Sequence, residues 1–300
     1  MPADIAQFTL WAATLFVALS AIAQIGLLIA RKPTRVTDRE YAMAGGTGPI
    51  TPDAVATPDA RPAGRRGLFF YGRVFSWLGL VFLTVSLIAR AVATGHGPFT
   101  NQHEFAVSFA WGMLVAYAYF EWRHGMHALA LIVLPITLAM LAYSLTVDPS
   151  IAPLVPALQN RTLLTLHVAT AVLAYGAAGV SFAAAALYLV RPHLHWRGLP
   201  SAEVLDEIGY RSVVFAFPMM TIMIVLGAIW ADIAWGHYWS WDPKETAALV
   251  TWLIYGAYLH ARVAREWRGN RAAWLLIIGF AAVLFTFFGN LFFGGLHAYA

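Results

Sequence analysis

Apolar residues run along this chain in blocks of about twenty, separated by short polar clusters. Eight blocks stand out, at about 6–30, 69–93, 105–122, 127–146, 163–190, 212–233, 244–262 and 272–293. That is the length a helix needs to cross roughly 30 Å of hydrocarbon at about 1.5 Å per residue. The blocks are too long and too plain for the strands of a membrane barrel. The pattern predicts an all-α, polytopic membrane protein with about eight transmembrane helices.

Composition agrees with this class. Hydrophobic residues make up 60% of the chain and charged residues only 11%, and the mean hydropathy is +0.66. A soluble domain needs about 25% charged residues to cover its surface. The net charge of +4 and pI near 9.4 would hint at nucleic acid in a soluble chain. Here the distribution of the cations gives a different reading. Starting from an outside N-terminus and alternating, sixteen of the nineteen Lys and Arg residues fall on inside segments, and only Arg90, Arg161 and Lys244 fall outside. This positive-inside asymmetry supports the span count, puts both termini outside, and removes any need for a nucleic-acid partner.

Three regions follow. Residues 1–32 hold the first span, which has no basic residue before it and Arg31 and Lys32 after it. It reads as a retained helix and not as a signal peptide. Residues 33–66, rich in Pro, Gly, Ala and Thr, read as a disordered cytoplasmic linker. Residues 67–300 form a seven-helix core. Within it, 191–211 is expected to hold a short amphipathic helix at the inner interface, and no internal repeat is evident.

The candidate chemistry lies in the outside loop at 230–245. Four of the twelve tryptophans, Trp230, Trp235, Trp239 and Trp241, fall there, with Gly236 among them. An interfacial aromatic belt accounts for scattered rings, but it accounts poorly for four rings so close together. A large, flat, apolar ligand needs broad rings to lie against and a close backbone approach, which Gly236 offers. A porphyrin or a quinone meets that description. The end of the segment also has a structural reading. Asp242 is suited to cap a helix, Pro243 to its first position, and Glu245 to completing a capping box. Asp242 therefore has a structural role beside any role toward a ligand.

Ten histidines are present, and there is no cysteine. A thiolate site and a disulfide are excluded, so any thiol chemistry uses a partner's sulfur. His193 and His195 belong to an inner loop, and His124 and His127 to the inner edge of two spans. For these, solvation or interfacial hydrogen bonding suffices. His96, His103 and His237 lie outside and suit neutral hydrogen bonding better than ligation. His167 lies about 7–8 Å into the fifth span from outside, and His297 lies just past the outer end of the eighth. A lone intramembrane histidine often bonds a neighbouring helix. Two at matched depth beside a tryptophan platform are instead read as axial ligands of one heme iron. His260 lies about 25 Å down the seventh span, too deep to share that iron, with Gly256 one turn above it leaving room for a flat ring. Heme propionates need positive charge in a partly dry site, and Arg90, Arg161 and Lys244 are the outside candidates. Each also suits membrane-edge anchoring. Arg90 and Arg161 are preferred, because the helix start engages Lys244.

The segment Trp235-Gly236-His237-Tyr238-Trp239-Ser240-Trp241-Asp242 resembles the WWD signature of heme-handling membrane proteins. Its continuation, Pro243-Lys244-Glu245 with Trp252-Leu253-Ile254-Tyr255 and Tyr258-Leu259-His260-Ala261-Arg262, resembles the CcsA (ResC) family more than the related CcmC and CcmF proteins. Gly95-His96-Gly97-Pro98, Asn101, Glu104, Leu166-His167 and Gly295-Leu296-His297 fit the same family, so the likeness covers most of 90–300.

The resemblance implies the membrane half of a System II cytochrome c synthase. It implies that heme b is the substrate, that His167 and His297 are the outer iron ligands, and that His260 is an inner ligand whose mate comes from a CcsB (ResB)-type partner. His127 is the local alternative for that mate. Trp235, Gly236, Trp239, Trp241 and Asp242 would form the outer platform. Heme would enter through the inner site and move outward, and apocytochrome c would add its two CxxCH thiols across the vinyls. Thiol-reducing proteins would keep those cysteines reduced. The setting would be a bacterial inner membrane with the heme site on its periplasmic or outer face, or a thylakoid membrane. Two rivals stand beside this reading: a heme exporter or chaperone that forms no bond, and an electron-transfer cytochrome b or quinone-reactive subunit.

Overall fold

A computed structural model describes residues 1–29, 63–193, 199–289 and 292–297. Among these it is all-helical, with eight α-helices. They are α1 (Pro2–Ile29), α2 (Ala63–Thr94), α3 (Gln102–His124), α4 (Ala130–Thr146), α5 (Arg161–Val190), α6 (Ala202–Trp235), α7 (Pro243–Ala264) and α8 (Asn270–Phe288). One helix stands at each predicted span. Six of the eight are long and apolar enough to cross a membrane. The other two, α3 and α7, carry charged residues near both ends: Glu104, Glu121 and Arg123 in α3, Lys244, Glu245 and Arg262 in α7. Helix α3 is buried on most of its surface, so protein neighbours surround its polar positions.

Three boundaries differ from expectation. Of the expected linker, 33–62 lies outside the described residues, while 63–66 belongs to the first turn of α2. The short interfacial helix expected within 191–211 is not separate. Ser201 caps α6, its hydroxyl accepting from the Val204 N–H at 3.4 Å, and the helix runs unbroken through the membrane block. No helix-stopping glycine pair or proline stands between Glu203 and Arg211 to end it. Helix α8 ends at Phe288 and not at 293, because Gly289, Gly294 and Gly295 weaken further helix.

Helix α1 packs along α2, α5 along α6, and α7 along α8, while α3 and α8 both lie against α5. Small residues set the closest crossing. A Cβ added to Gly176 would meet the Gly112 carbonyl oxygen, and one added to Gly112 would meet that of Val172. Helices α3 and α5 therefore meet backbone to backbone, as transmembrane helices do where dispersion and not water expulsion drives association. This crossing brings the first turns of α3, α5 and α7 beside the last turns of α6 and α8, and a cavity opens there.

Candidate functional site

The cavity holds about 1090 Å³ of empty space including its mouth, at or above the usual upper bound for small-molecule sites. Its walls are mainly apolar and aromatic, with Phe105 and Phe109 from α3, Tyr175 from α5, Trp230 from α6 and Phe287 from α8. Two imidazoles enter it from different parts of the chain, His167 from α5 and His297 from the segment after α8.

Both imidazoles are held in a defined tautomer. His167 Nδ1 lies 2.8 Å from the Met223 carbonyl oxygen of α6. The carbonyl can only accept, so Nδ1 carries the proton and Nε2 carries the lone pair. His297 Nδ1 lies 2.8 Å from Asp242 Oδ1, and the same reasoning puts the proton on Nδ1 and the lone pair on Nε2. Burial and the nearby Lys244 push His297 down to about 4 and outweigh the Asp242 carboxylate. At neutral pH the ring is uncharged, which is the form that binds a metal. A ligating histidine whose other nitrogen is tied to a carbonyl or carboxylate is the usual outer-shell arrangement of metal sites.

Trp230 joins the two histidines. It is almost fully buried, and its indole N–H donates to the Ala157 carbonyl at 3.1 Å. Its ring lies 6.3 Å from His167, nearly parallel, and 5.6 Å from His297. Trp235 packs edge-on against Trp230 at 4.8 Å and against His297 at 4.9 Å, behind the cavity wall. Trp239 lines the cavity. Trp241 is 70% exposed and sits in left-handed backbone at φ 61°, turned away from it. Of the three rings expected to form a platform, one faces the cavity, one backs a histidine and one points outward.

Gly236 has a different role from the expected one. At φ 79° it ends α6, and its N–H bonds the Asp232 carbonyl. A Cβ there would meet nothing within 4 Å, so its backbone conformation and not close packing demands glycine. The glycine that makes room is Gly227. A Cβ on it would stand 2.7 Å from Cε1 of His167. Gly227→Ala is therefore expected to push the imidazole off the Met223 carbonyl. A shift of the His167 ring resonances in the variant measures this, and resonances equal to wild type would refute the packing role. Gly227 is one of two glycines inside α6, with Gly209, and a glycine within a bulky helix is a signal of close approach that points to the position but not to its partner.

Asp242 anchors the loop. It caps α7, Oδ1 accepting from the Lys244 N–H at 3.0 Å, while Glu245 Oε2 returns to the Asp242 N–H at 3.3 Å to close the capping box. Its Oδ2 accepts from the Leu296 N–H at 2.7 Å. Gly295 lies so close that a Cβ there would overlap Oδ2. Gly295-Leu296-His297 thus wraps the carboxylate that starts α7. Helix capping and histidine orientation reside in one side chain.

Of the three outside cations, Lys244 and not the preferred Arg90 or Arg161 lines the cavity. Arg90 bonds Glu104 at 2.8 Å and the Ser150 carbonyl at 3.3 Å, away from the cavity. Arg161 donates to the Gly95 carbonyl at 3.0 Å on the exposed flank of α5, outside the cavity lining. Lys244 lines the cavity, its Nζ 4.9 Å from the centre of the Phe105 ring. The capping box engages its backbone and leaves the side chain to point inward.

At the far end of α7, His260 lies on an exposed face, while other faces of the helix pack on α6 and α8. The space expected above Gly256 is occupied by the Phe217 ring, 3.2 Å from an added Cβ, which stacks on Trp252. His127 is held by Glu121 at 3.1 Å near α3. Of the remaining histidines, His195 lies outside the described residues, His193 is exposed, and His124 stacks on the Phe120 ring. His96 bonds the Gly97 carbonyl, His103 bonds that of Ser144, and His237 is exposed.

Among the described residues, no three His, Asp or Glu side chains converge to hold a bare metal ion. A two-imidazole site suits a metal that brings its own equatorial ligands. Fold and site together define a polytopic membrane protein with a paired-histidine, aromatic-walled cavity at one end of the bundle. The family model described as "Cytochrome C assembly protein" matches residues 100–297. The cytochrome c biogenesis protein CcsA of Guillardia theta is 36% identical, over 78% of this chain and 87% of its own length. That of Gloeobacter violaceus is 32% identical, over 75% and 84%. The chain belongs to the cytochrome c assembly family, among its CcsA proteins. In fold it is similar to a solved structure titled Cytochrome c Heme Lyase CcmF, with a TM-score of 0.63 at 19% identity. The match covers 96% of this chain and 47% of that longer one.

Proposed function

We propose that the cavity holds heme as a substrate, with His167 and His297 as axial ligands, and presents it for covalent attachment to apocytochrome c. One observation carries this reading: two half-buried imidazoles from separate elements line one aromatic cavity, each with Nδ1 bound to an oxygen, the tautomer whose Nε2 lone pair suits a metal. The family role in cytochrome c biogenesis supports it. The cavity end would be the outer face, as the distribution of cations implies.

The chain's contribution is positioning. The Met223 carbonyl and Asp242 fix the two imidazole planes, the aromatic walls exclude water from the ring, and Trp239 at the rim borders the approach of the peptide. The apocytochrome's histidine would displace one protein ligand. Its two cysteine S–H groups would then add across the vinyl double bonds, each sulfur and its hydrogen ending on one vinyl group. No nucleophile is required of this chain. His260 on the exposed face of α7 would be an inner heme ligand completed by a CcsB-type subunit.

The test is co-expression of the full chain with a CcsB-type partner and an apocytochrome in cells lacking other maturation systems. Heme that stays on the reporter through denaturing electrophoresis is the expected result. Bound heme on this protein with none on the reporter would support the exporter reading instead.

A further inference from the structure

Lys244 places a positive charge at the cavity, and no carboxylate of a described residue forms an ion pair with it. Its Nζ forms no ion pair with any described residue, and its described contact is the face of Phe105. Of the two neighbouring acids, Asp242 spends both oxygens on the Lys244 N–H, His297 and the Leu296 N–H. Glu245 Oε2 takes the Ser240 N–H and hydroxyl, and its buried Oε1 bonds neither Lys244 nor any other described group. Arg90 and Arg161 are tied to Glu104 and to the Gly95 carbonyl. An ammonium in an apolar wall is costly unless an opposite charge meets it. A ligand carboxylate would meet that need.

The position of this charge matters as much as its sign. Two axial imidazoles fix the iron but leave the macrocycle free to turn about the line joining them. A charge off that line, on the wall shared by the first turns of α3 and α7, stops the rotation. We propose that Lys244 binds a propionate of the bound heme and so sets which edge of the ring faces the incoming cysteines. Gln102, in the same wall, offers a neutral donor to the second carboxylate. This rests on the heme reading above and deepens it.

Heme and its dimethyl ester share iron, ring and axial chemistry and differ only in carboxylate charge, so the pair isolates the proposed contact. The full chain with its partner subunit, stripped of heme, is titrated with each. Wild type is expected to bind heme roughly 10- to 100-fold tighter than the diester, the range of a charge-assisted contact in a dry site. In Lys244→Gln and Lys244→Met the preference should vanish through weaker heme binding, with diester affinity unchanged. Lys244→Arg should keep it. A wild type that binds both equally, or a Lys244→Gln protein that keeps the preference, overturns the anchor while leaving the heme reading intact. Should wild type bind neither porphyrin, the heme reading itself fails. If the variants do not fold, the wild-type comparison still decides whether ligand carboxylates contribute.

Discussion

Alanine at His167 or at His297 is expected to reduce heme retained by the purified protein by at least about 10-fold, the lower end of losses seen even for residues that only orient a ligand. On the proposed reading each substitution would remove one axial bond and leave a pocket of imidazole size. Free imidazole should therefore restore the absorbance of six-coordinate heme in either variant. The rescue separates ligation from folding, because a soluble ligand refills an axial position and does not repair a misfolded bundle. His260→Ala should leave this spectrum in place if it serves a second, inner site. Heme retained by His167→Ala and His297→Ala without imidazole would instead favour a cytochrome b whose ligands lie elsewhere.

Asp242→Ala is expected to produce the second largest loss, and a composite one. Removing the cap exposes the start of α7 and costs about 0.5–2 kcal/mol of stability. Losing the acceptor for His297 Nδ1 frees the ring plane, at about 10- to 100-fold in heme affinity. Asp242→Asn should separate the two effects. The amide oxygen still caps the helix, so thermal stability in detergent should stay near wild type. The charge that steadies His297 is gone, so heme affinity should still fall. Equal losses of stability in both variants would show that the carboxylate charge, and not merely an acceptor, holds the helix start.

Much of the fold is visible in the order of residues alone. Membrane helices follow from uninterrupted apolar length, a local property, and a helix stands at each of the eight predicted positions, six of them long and apolar enough to cross a membrane. The misplaced boundaries lie where local signals are weak, at the join of 202–211 to α6 and at the glycine-rich end of α8. The capping box of Asp242 and Glu245 was equally readable, since its partners are three residues apart. Membership of the CcsA proteins was visible in the tryptophan segment and its continuation.

What the sequence by itself determined is therefore the class, the number of helices, the family and the residue types present: tryptophans, a capping aspartate, and histidines along two different spans. The tertiary structure alone decided which of these meet. It set Trp230 between two histidines 130 residues apart, turned Trp241 outward, filled the space over Gly256 with Phe217, and chose Lys244 over Arg90 and Arg161 to face the cavity. The physical reason is that depth along a helix is fixed by rise per residue, whereas the direction of a side chain is fixed by packing. Packing here depends on distant small residues, Gly112, Gly176, Gly227 and Gly295, whose partners no local pattern announces.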